Sequence, residues 1–167
     1  METQIYLKEL VVLQFAGCVS KLSLVEYKTK RNFRKTSEPK DVVETGSGDT
    51  YVIQRHDASH LHYDLRLEMD NVLKSWALPK EPPTDAGVRR LAVHVEDHPL
   101  SYASFEGIIP EGEYGAGTVE IWDRGHYKIV DRKEDKIVIE INGKRLTGSY
   151  VLVRLKDKKN WIFFKKK

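Results

Sequence analysis

The stretch HDASHLHYDLRLEMD, His56 to Asp70, decides how the rest of the chain is read. Tyr63, Leu65, Leu67 and Met69 are apolar at every second position, and His62, Asp64, Arg66 and Glu68 fill the positions between them. A period of two belongs to a β-strand, whose side chains alternate between its faces. One face is then a continuous apolar row. The other carries imidazole, carboxylate and guanidinium, an unusual finish for a merely solvated sheet face, and it points to a site.

Outward from this strand the same grammar continues. From Thr50 onward the chain offers TYVIQRH, HLHYDLRLEM, VLKSWAL, RRLAVHVED, TVEIWD, HYKIVD, KIVIEI, GSYVLVRL and WIFFK, short runs rich in Val, Ile, Tyr and Trp. Turn chemistry separates them at Asp70-Asn71, Arg124-Gly125 and Asn142-Gly143, the last being the strongest hairpin signal. Many short strands around one core predict an all-β fold, an antiparallel barrel or a strongly curved sandwich. LPKEPPTDAGV reads as a surface loop and FEGIIPEGEYGAG as a glycine-rich irregular segment that could wall the site. The latter is no phosphate-cradling loop, because a β-run follows it where such loops open a helix.

Bulk properties set limits. At 167 residues the chain is sized for one domain. The formal net charge of +3 does not by itself demand a polyanionic partner. Basic residues do crowd YKTKRNFRK and KDKKNWIFFKKK, where aromatic residues among the lysines could hold phosphates and stack bases, or simply solubilise the ends. A single cysteine, Cys18, excludes an internal disulfide framework and favours a reducing, cytoplasmic setting. No apolar run has membrane-spanning length, and LVVLQFAGC lacks the positive flank of a signal peptide. Residues 1–24 are expected to form an N-terminal extension, as a short helix or an extended arm, ahead of a domain spanning 25–167.

The chemistry concentrates in the histidines, five of six of which lie between His56 and His98. His62 and Asp64 share a strand face, and His56 across the DASH turn can complete a set of two histidines and one carboxylate. Mixed N/O ligands without thiolate suit Mn²⁺, Fe²⁺, Co²⁺ or Zn²⁺. In RRLAVHVEDHPL, alternation places Arg90, His94, Glu96 and His98 on one face. Two arginines, Arg66 and Arg90, beside a metal and a spare histidine would suit an anionic tetrahedral substrate, with His98 able to protonate the leaving oxygen. Glu68 and His94 are expected to be structural, in an ion pair and a polar core pocket respectively.

VIQRHDASHLHYDLRLEMD, LKSWALPK, RRLAVHVEDHPLSYASFEGIIPEGEYGAGTVEIWDRG and GSYVLVRLKDKKNWIFFKKK resemble the 3′-phosphoesterase module of bacterial DNA ligase D and its stand-alone archaeal and bacterial relatives, from about Tyr27 to the C-terminus. The resemblance implies a compact antiparallel β-barrel and a Mn²⁺-dependent enzyme, with Co²⁺ or Zn²⁺ as possible substitutes. Such an enzyme heals 3′ ends for non-homologous end joining: it removes a terminal ribonucleoside as a phosphodiesterase, then the remaining 3′-phosphate. It implies His56, His62 and Asp64 as metal ligands, Arg66, Arg90, His98 and Tyr102 around the phosphate, and Glu96 as a further catalytic position. Arg31 and Glu38, in KRNFRKTSEP, match residues that assist ribonucleoside removal. Asn32 stands where the family usually has aspartate, which predicts a slower diesterase step. The implied substrate is primer-template DNA with a 3′-ribonucleotide or 3′-phosphate. The implied protein is a monomer that does not contact a membrane, with DNA ligase and polymerase acting in trans.

Two other readings compete. A non-haem Fe(II) oxygenase also uses two histidines and a carboxylate in a β-barrel. A non-catalytic nucleic-acid-binding barrel would use Trp161, Phe163 and Phe164 as a stacking platform.

Overall fold

In the computed structural model, which describes residues 23–40, 42 and 44–167, the alternation of HLHYDLRLEM becomes strand β2, Leu61–Met69. The part of the expected N-terminal extension that covers residues 1–22 lies outside the described residues. The other strands are β1 (Thr50–Asp57), β3 (Val72–Leu78), β4 (Arg89–His98), β5 (Gly107–Ile109), β6 (Gly117–Arg132), β7 (Lys136–Gly143), β8 (Thr147–Arg154) and β9 (Asn160–Lys165). A short helix, α1 (Val25–Thr29), and a 3-10 turn, Leu100–Ser104, complete the described elements.

All strand pairings are antiparallel. The order β1-β2-β3-β4-β9-β8-β7-β6 closes through a β1–β6 pairing, so eight strands form a barrel and β5 adds to one edge of β6. Closure leaves no long free sheet edge among the described residues.

Alternation divides the side chains into two sets. Tyr63, Leu65, Leu67 and Met69 point inward to join Tyr51, Ile53, Trp76, Ile139, Leu152, Trp161 and Phe163 in the interior. Trp161 and Phe163 are thus core residues and cannot serve as a base-stacking platform. On the outer face a second layer forms from Leu24, Tyr27, Tyr102, Phe105 and Ile109, which pack over Leu73 and Val119. Part of the N-terminal basic segment is therefore a wall: Tyr27 is fully buried and its hydroxyl donates to the Pro39 carbonyl.

Of three expected turns, one holds and two shift. Asp70 and Asn71 both take positive φ, 56° and 61°, and make the β2–β3 turn as read. Arg124-Gly125 is no turn: β6 runs straight through it, and Gly125 instead allows close strand approach, since a Cβ there would sit 2.1 Å from the Asn142 oxygen. The β7–β8 turn centres on Lys144 and Arg145 rather than Asn142-Gly143. The Asp123 carboxylate fixes it by accepting from the main-chain N–H groups of Lys144, Arg145 and Leu146 at 2.8–3.0 Å. Gly143 is needed because a Cβ would lie 2.5 Å from that carboxylate.

Candidate metal centre and phosphate cavity

The site lies on the outer wall of the barrel, where β1, β2, β3 and β4 are covered by the layer around Tyr27 and Tyr102. The β1–β2 register pairs His56 with His62, Gln54 with Asp64 and Val52 with Arg66. Directly opposed residues share a face, so three polar residues of β2 meet two of β1.

His56, His62 and Asp64 each offer a ligand atom, all within 4.8 Å of one another. Each imidazole is oriented by a main-chain carbonyl. His56 Nε2 lies 2.8 Å from the Gly115 oxygen, and His62 Nδ1 lies 2.9 Å from the His60 oxygen. A carbonyl only accepts, so those nitrogens carry the protons. The lone pairs of His56 Nδ1 and His62 Nε2 then face Asp64, at 3.7 Å from Oδ2 and 3.8 Å from Oδ1. Fixing the tautomer from behind is how proteins prepare histidines for a cation, and the donor set fits a divalent metal. Burial alone would raise the Asp64 carboxyl, yet Arg66 and the two rings outweigh it and hold it below the usual carboxylate range.

Arg66 is clamped beside this set. Its Nε donates to Gln54 Oε1 at 2.7 Å, Nη1 to Ser75 Oγ at 2.9 Å and Nη2 to Asp64 Oδ2 at 3.1 Å, and its plane stands over the Tyr102 ring at 4.6 Å. One N–H on each Nη remains beyond these bonds. Glu68 is no partner of Arg66. It accepts from the Gly48 and Thr50 N–H groups at 2.8 and 3.2 Å and anchors the lead-in to β1.

A second guanidinium, Arg31, comes from the N-terminal segment. It is stacked 3.9 Å over Tyr27 and donates to Glu38 at 2.8 Å, to Glu96 at 3.2 Å and to His98 Nε2 at 3.1 Å. Because arginine only donates, His98 Nε2 is an acceptor, and its proton sits on Nδ1, 2.9 Å from the Glu96 carbonyl. Burial first, then the charges of Arg66 and Arg31, push His98 well below the ordinary histidine value. His98 is therefore neutral and, in this arrangement, has no proton directed at a leaving group. The Tyr102 hydroxyl, raised by burial, donates to Glu38 at 2.9 Å.

These groups line a cavity of about 330 Å³ that includes Arg31, His56, His62, Asp64, Arg66, Glu96, His98 and Tyr102. Glu38 stands behind it. Two expected members are not brought in. Arg90 lies eight residues before His98, roughly 26 Å along the strand at about 3.3 Å per residue, and its Nε donates to the Glu81 carbonyl at 2.7 Å. The row expected on β4 fails because Ser75 pairs with Val95 but Leu73 pairs with His98, leaving one extra residue in β4. This bulge puts Glu96 and His98 on the outer face. Arg90 and His94 instead share parity with Ala92 in the core, and His94 packs on Trp76 at 5.5 Å. Asn32 is exposed, and its side chain accepts from the Arg34 N–H at 3.2 Å within a surface turn.

The sequence reading missed Gln54, Ser75 and Lys30. Gln54 lay within reach, being two residues before His56 on the same strand face. Ser75 meets Arg66 only through the β2–β3 register. Lys30, 3.1 Å from Glu96, was one charge among many in a basic run.

Comparisons with known proteins identify the family. A family profile described as the DNA Ligase D 3′-phosphoesterase domain matches residues 54–154. The chain is 48% identical over 137 residues to "Multifunctional non-homologous end joining DNA repair protein LigD" of Mycobacterium tuberculosis, covering 78% of this chain and 18% of that protein. It is 47% identical over 155 residues to "Multifunctional non-homologous end joining protein LigD" of Pseudomonas aeruginosa, covering 86% of this chain and 18% of the relative. The Mycolicibacterium smegmatis protein of the same name is 45% identical over 152 residues, covering 83% and 20%. The chain thus spans about a fifth of the length of these relatives. With a closed antiparallel barrel, a prepared His/Asp cluster on its outer wall and this match over most of the strands, the chain belongs to the DNA ligase D 3′-phosphoesterase domain family.

Proposed function

We propose that the chain is a divalent-metal-dependent phosphoesterase acting on 3′ ends of nucleic acid strands, with Mn²⁺ as the preferred ion and Co²⁺ or Zn²⁺ as substitutes. The observation that carries this reading is the pair of imidazoles whose outer nitrogens are tied to carbonyls, so that two lone pairs and a carboxylate converge next to a clamped arginine. A cation held there supplies Lewis-acid polarisation of a phosphoryl oxygen.

Charge balance supports an anionic substrate. Among the groups that line the cavity, Arg31 and Arg66 stand against Asp64 and Glu96, two cations against two carboxylates, so the lining nearly cancels. A divalent ion leaves the cavity with two positive charges, the complement of a phosphomonoester dianion. Arg66 offers its two remaining N–H groups to non-bridging oxygens, in the fixed fork that suits phosphate. Gln54 and Ser75 hold that fork, while Arg31, Glu38 and Tyr102 keep the opposite wall rigid. With His98 neutral, charge developing on the phosphoryl group is met by the guanidiniums rather than by a histidine proton.

On a diester, attack on phosphorus breaks the bond to the 5′-oxygen of the terminal nucleoside, which leaves as its 5′-hydroxyl. Attack by water gives the 3′-monoester directly, whereas attack by the neighbouring 2′-hydroxyl gives a 2′,3′-cyclic phosphate that water then opens to the 3′-monoester. On the resulting monoester, water attacks and the bond to the 3′-oxygen breaks, leaving a 3′-hydroxyl suited to joining. The reading is tested with a 3′-phosphate-ended strand and a strand bearing a penultimate ribonucleotide, each with Mn²⁺ or with chelator. Mn²⁺-dependent release of phosphate from the first and of a nucleoside from the second is expected. Turnover undiminished by chelator would overturn the assignment.

A further inference from the structure

Beside the metal cavity lies a second cleft, of about 460 Å³, which shares Val95, Glu96 and Tyr114 with it. Four lysines line this cleft: Lys30, Lys74, Lys158 and Lys159. Lys30 and Lys74 are matched at 2.6 Å by Glu26 and Asp97. Among the described residues no carboxylate pairs with Lys158 or Lys159. These two sit on the β8–β9 turn, and the turn is held firmly. The Asp157 carboxylate accepts from the N–H groups of Lys159 and Asn160 at 3.0 and 2.8 Å, and the Lys159 carbonyl accepts from the His94 N–H on β4 at 2.9 Å. Lys158 is kept at φ +64°, a conformation that side chains other than glycine seldom adopt. Two cations without a carboxylate partner among the described residues are thus presented on a preorganised loop that lines the cleft beside the cavity.

Part of the cavity lining that the cleft does not share is different: Ala58, Ser59 and Ile109 carry no charge, and Ala58 and Ser59 belong to the β1–β2 turn. At the junction stands Tyr114, 48% exposed, with Lys30 Nζ 4.9 Å from its ring.

The substrate has a matching asymmetry. A terminal nucleoside on the 3′ side of the scissile phosphate brings no further phosphate, whereas every other phosphate lies on the 5′ side. We infer that the strand crosses the site with fixed polarity: the lysine cleft seats the phosphodiesters 5′ of the scissile phosphate, and the uncharged lining seats the terminal nucleoside. This inference rests on the phosphoesterase reading and adds a direction to it. The chain approaches over the β8–β9 turn and ends over the β1–β2 turn.

The test compares the wild type with the double variant Lys158→Gln/Lys159→Gln, whose changes lie on an exposed turn. Binding of a fluorescently labelled single strand ending in 3′-phosphate is followed by anisotropy across a salt series. Each lysine–phosphate contact contributes about −0.7 to the slope of log K against log salt, so the variant's slope should be shallower by about 1.4, with Kd about fivefold or more weaker at low salt. KM for phosphate release from the strand should rise in step at unchanged kcat. Kinetics on thymidine 3′-monophosphate, which has no 5′ phosphodiester, should change less than twofold. An unchanged salt slope would overturn the inference. So would a defect confined to nucleoside removal, which would place the leaving group in the cleft, or an equal loss on the mononucleotide. Failure of the wild type to release phosphate from any substrate with Mn²⁺ would count against the phosphoesterase reading alone, while the binding slopes still decide the cleft.

Discussion

Lowering the pH from about 7.5 to 5.5 probes the buried His98 directly. In the unfolded chain this imidazole titrates at its ordinary value of 6.5, whereas burial, Arg66 and Arg31 keep it neutral in the fold. The folded pKa is depressed. As pH falls below 6.5 the unfolded chain therefore gains a proton that the fold refuses, and stability present above 6.5 is lost below it. Over this window one such group removes about 1.4 kcal/mol. His94 is lowered too, by its own partial burial, and adds in the same direction. Asp64 and Glu96 are held low and stay ionised throughout. The assay is urea unfolding of chelator-treated protein at both pH values, with His98→Asn beside the wild type. The wild type should lose about 1.4 kcal/mol more than the variant. Equal pH dependence in the two proteins would mean that His98 carries its charge inside the fold, and the hydrogen-bond assignment to Arg31 would be wrong.

Other outcomes follow from named contacts. His62→Ala should weaken Mn²⁺ binding by at least about a hundredfold in calorimetry on folded protein, since loss of a direct ligand exceeds the loss of a supporting partner; near-normal affinity would remove His62 from the metal set. Arg66→Lys keeps the charge but abandons the contacts to Gln54 and Ser75, and kcat/KM on a 3′-phosphate strand should fall at least tenfold, about 1.4 kcal/mol. Full activity would make the fork dispensable. Gly117→Ala places a Cβ 2.3 Å from the Asp57 oxygen at φ +145°. That change should cost about 1–3 kcal/mol, visible as a lower Tm, and an unchanged Tm would show that the β1–β6 contact yields freely. Asn32→Asp, on the exposed turn, should leave the ratio of nucleoside removal to phosphate removal within about twofold. Selective acceleration would show that this turn reaches the substrate.

Much of the barrel could be read in residues 56–70 because a half-buried strand writes its two faces into alternate letters. The metal set was legible for the same reason, His62 and Asp64 being on one face and His56 just across a short turn. The β4 row was not, because a bulge is a mismatch between two strands and leaves no mark in the sequence of either one. Arg90 was misplaced by that single residue. Asn142-Gly143 pointed to a turn two residues too early, since the deciding group, Asp123, lies about twenty residues away in sequence and acts only once β6 and β7 have paired. Trp161 and Phe163 looked available for stacking because lysines flank them, but the flanking charges lie at the strand's ends while the rings fill the barrel.

The extra residue in β4 acts as a phase marker. Upstream of it the strand sends even-numbered side chains into the core; at and beyond it Glu96 and His98 face out. Deleting one residue between Val95 and His98 would restore unbroken alternation and leave His98 opposite Leu73, still facing out, while the single residue left between them, Glu96 or Asp97, would be turned toward the core. Over evolutionary time this stretch should therefore tolerate exchanged letters far better than a changed letter count. A lineage that lost the residue would keep His98 in place yet lose from the cavity wall the Glu96 carboxylate to which Lys30 and Arg31 are tied.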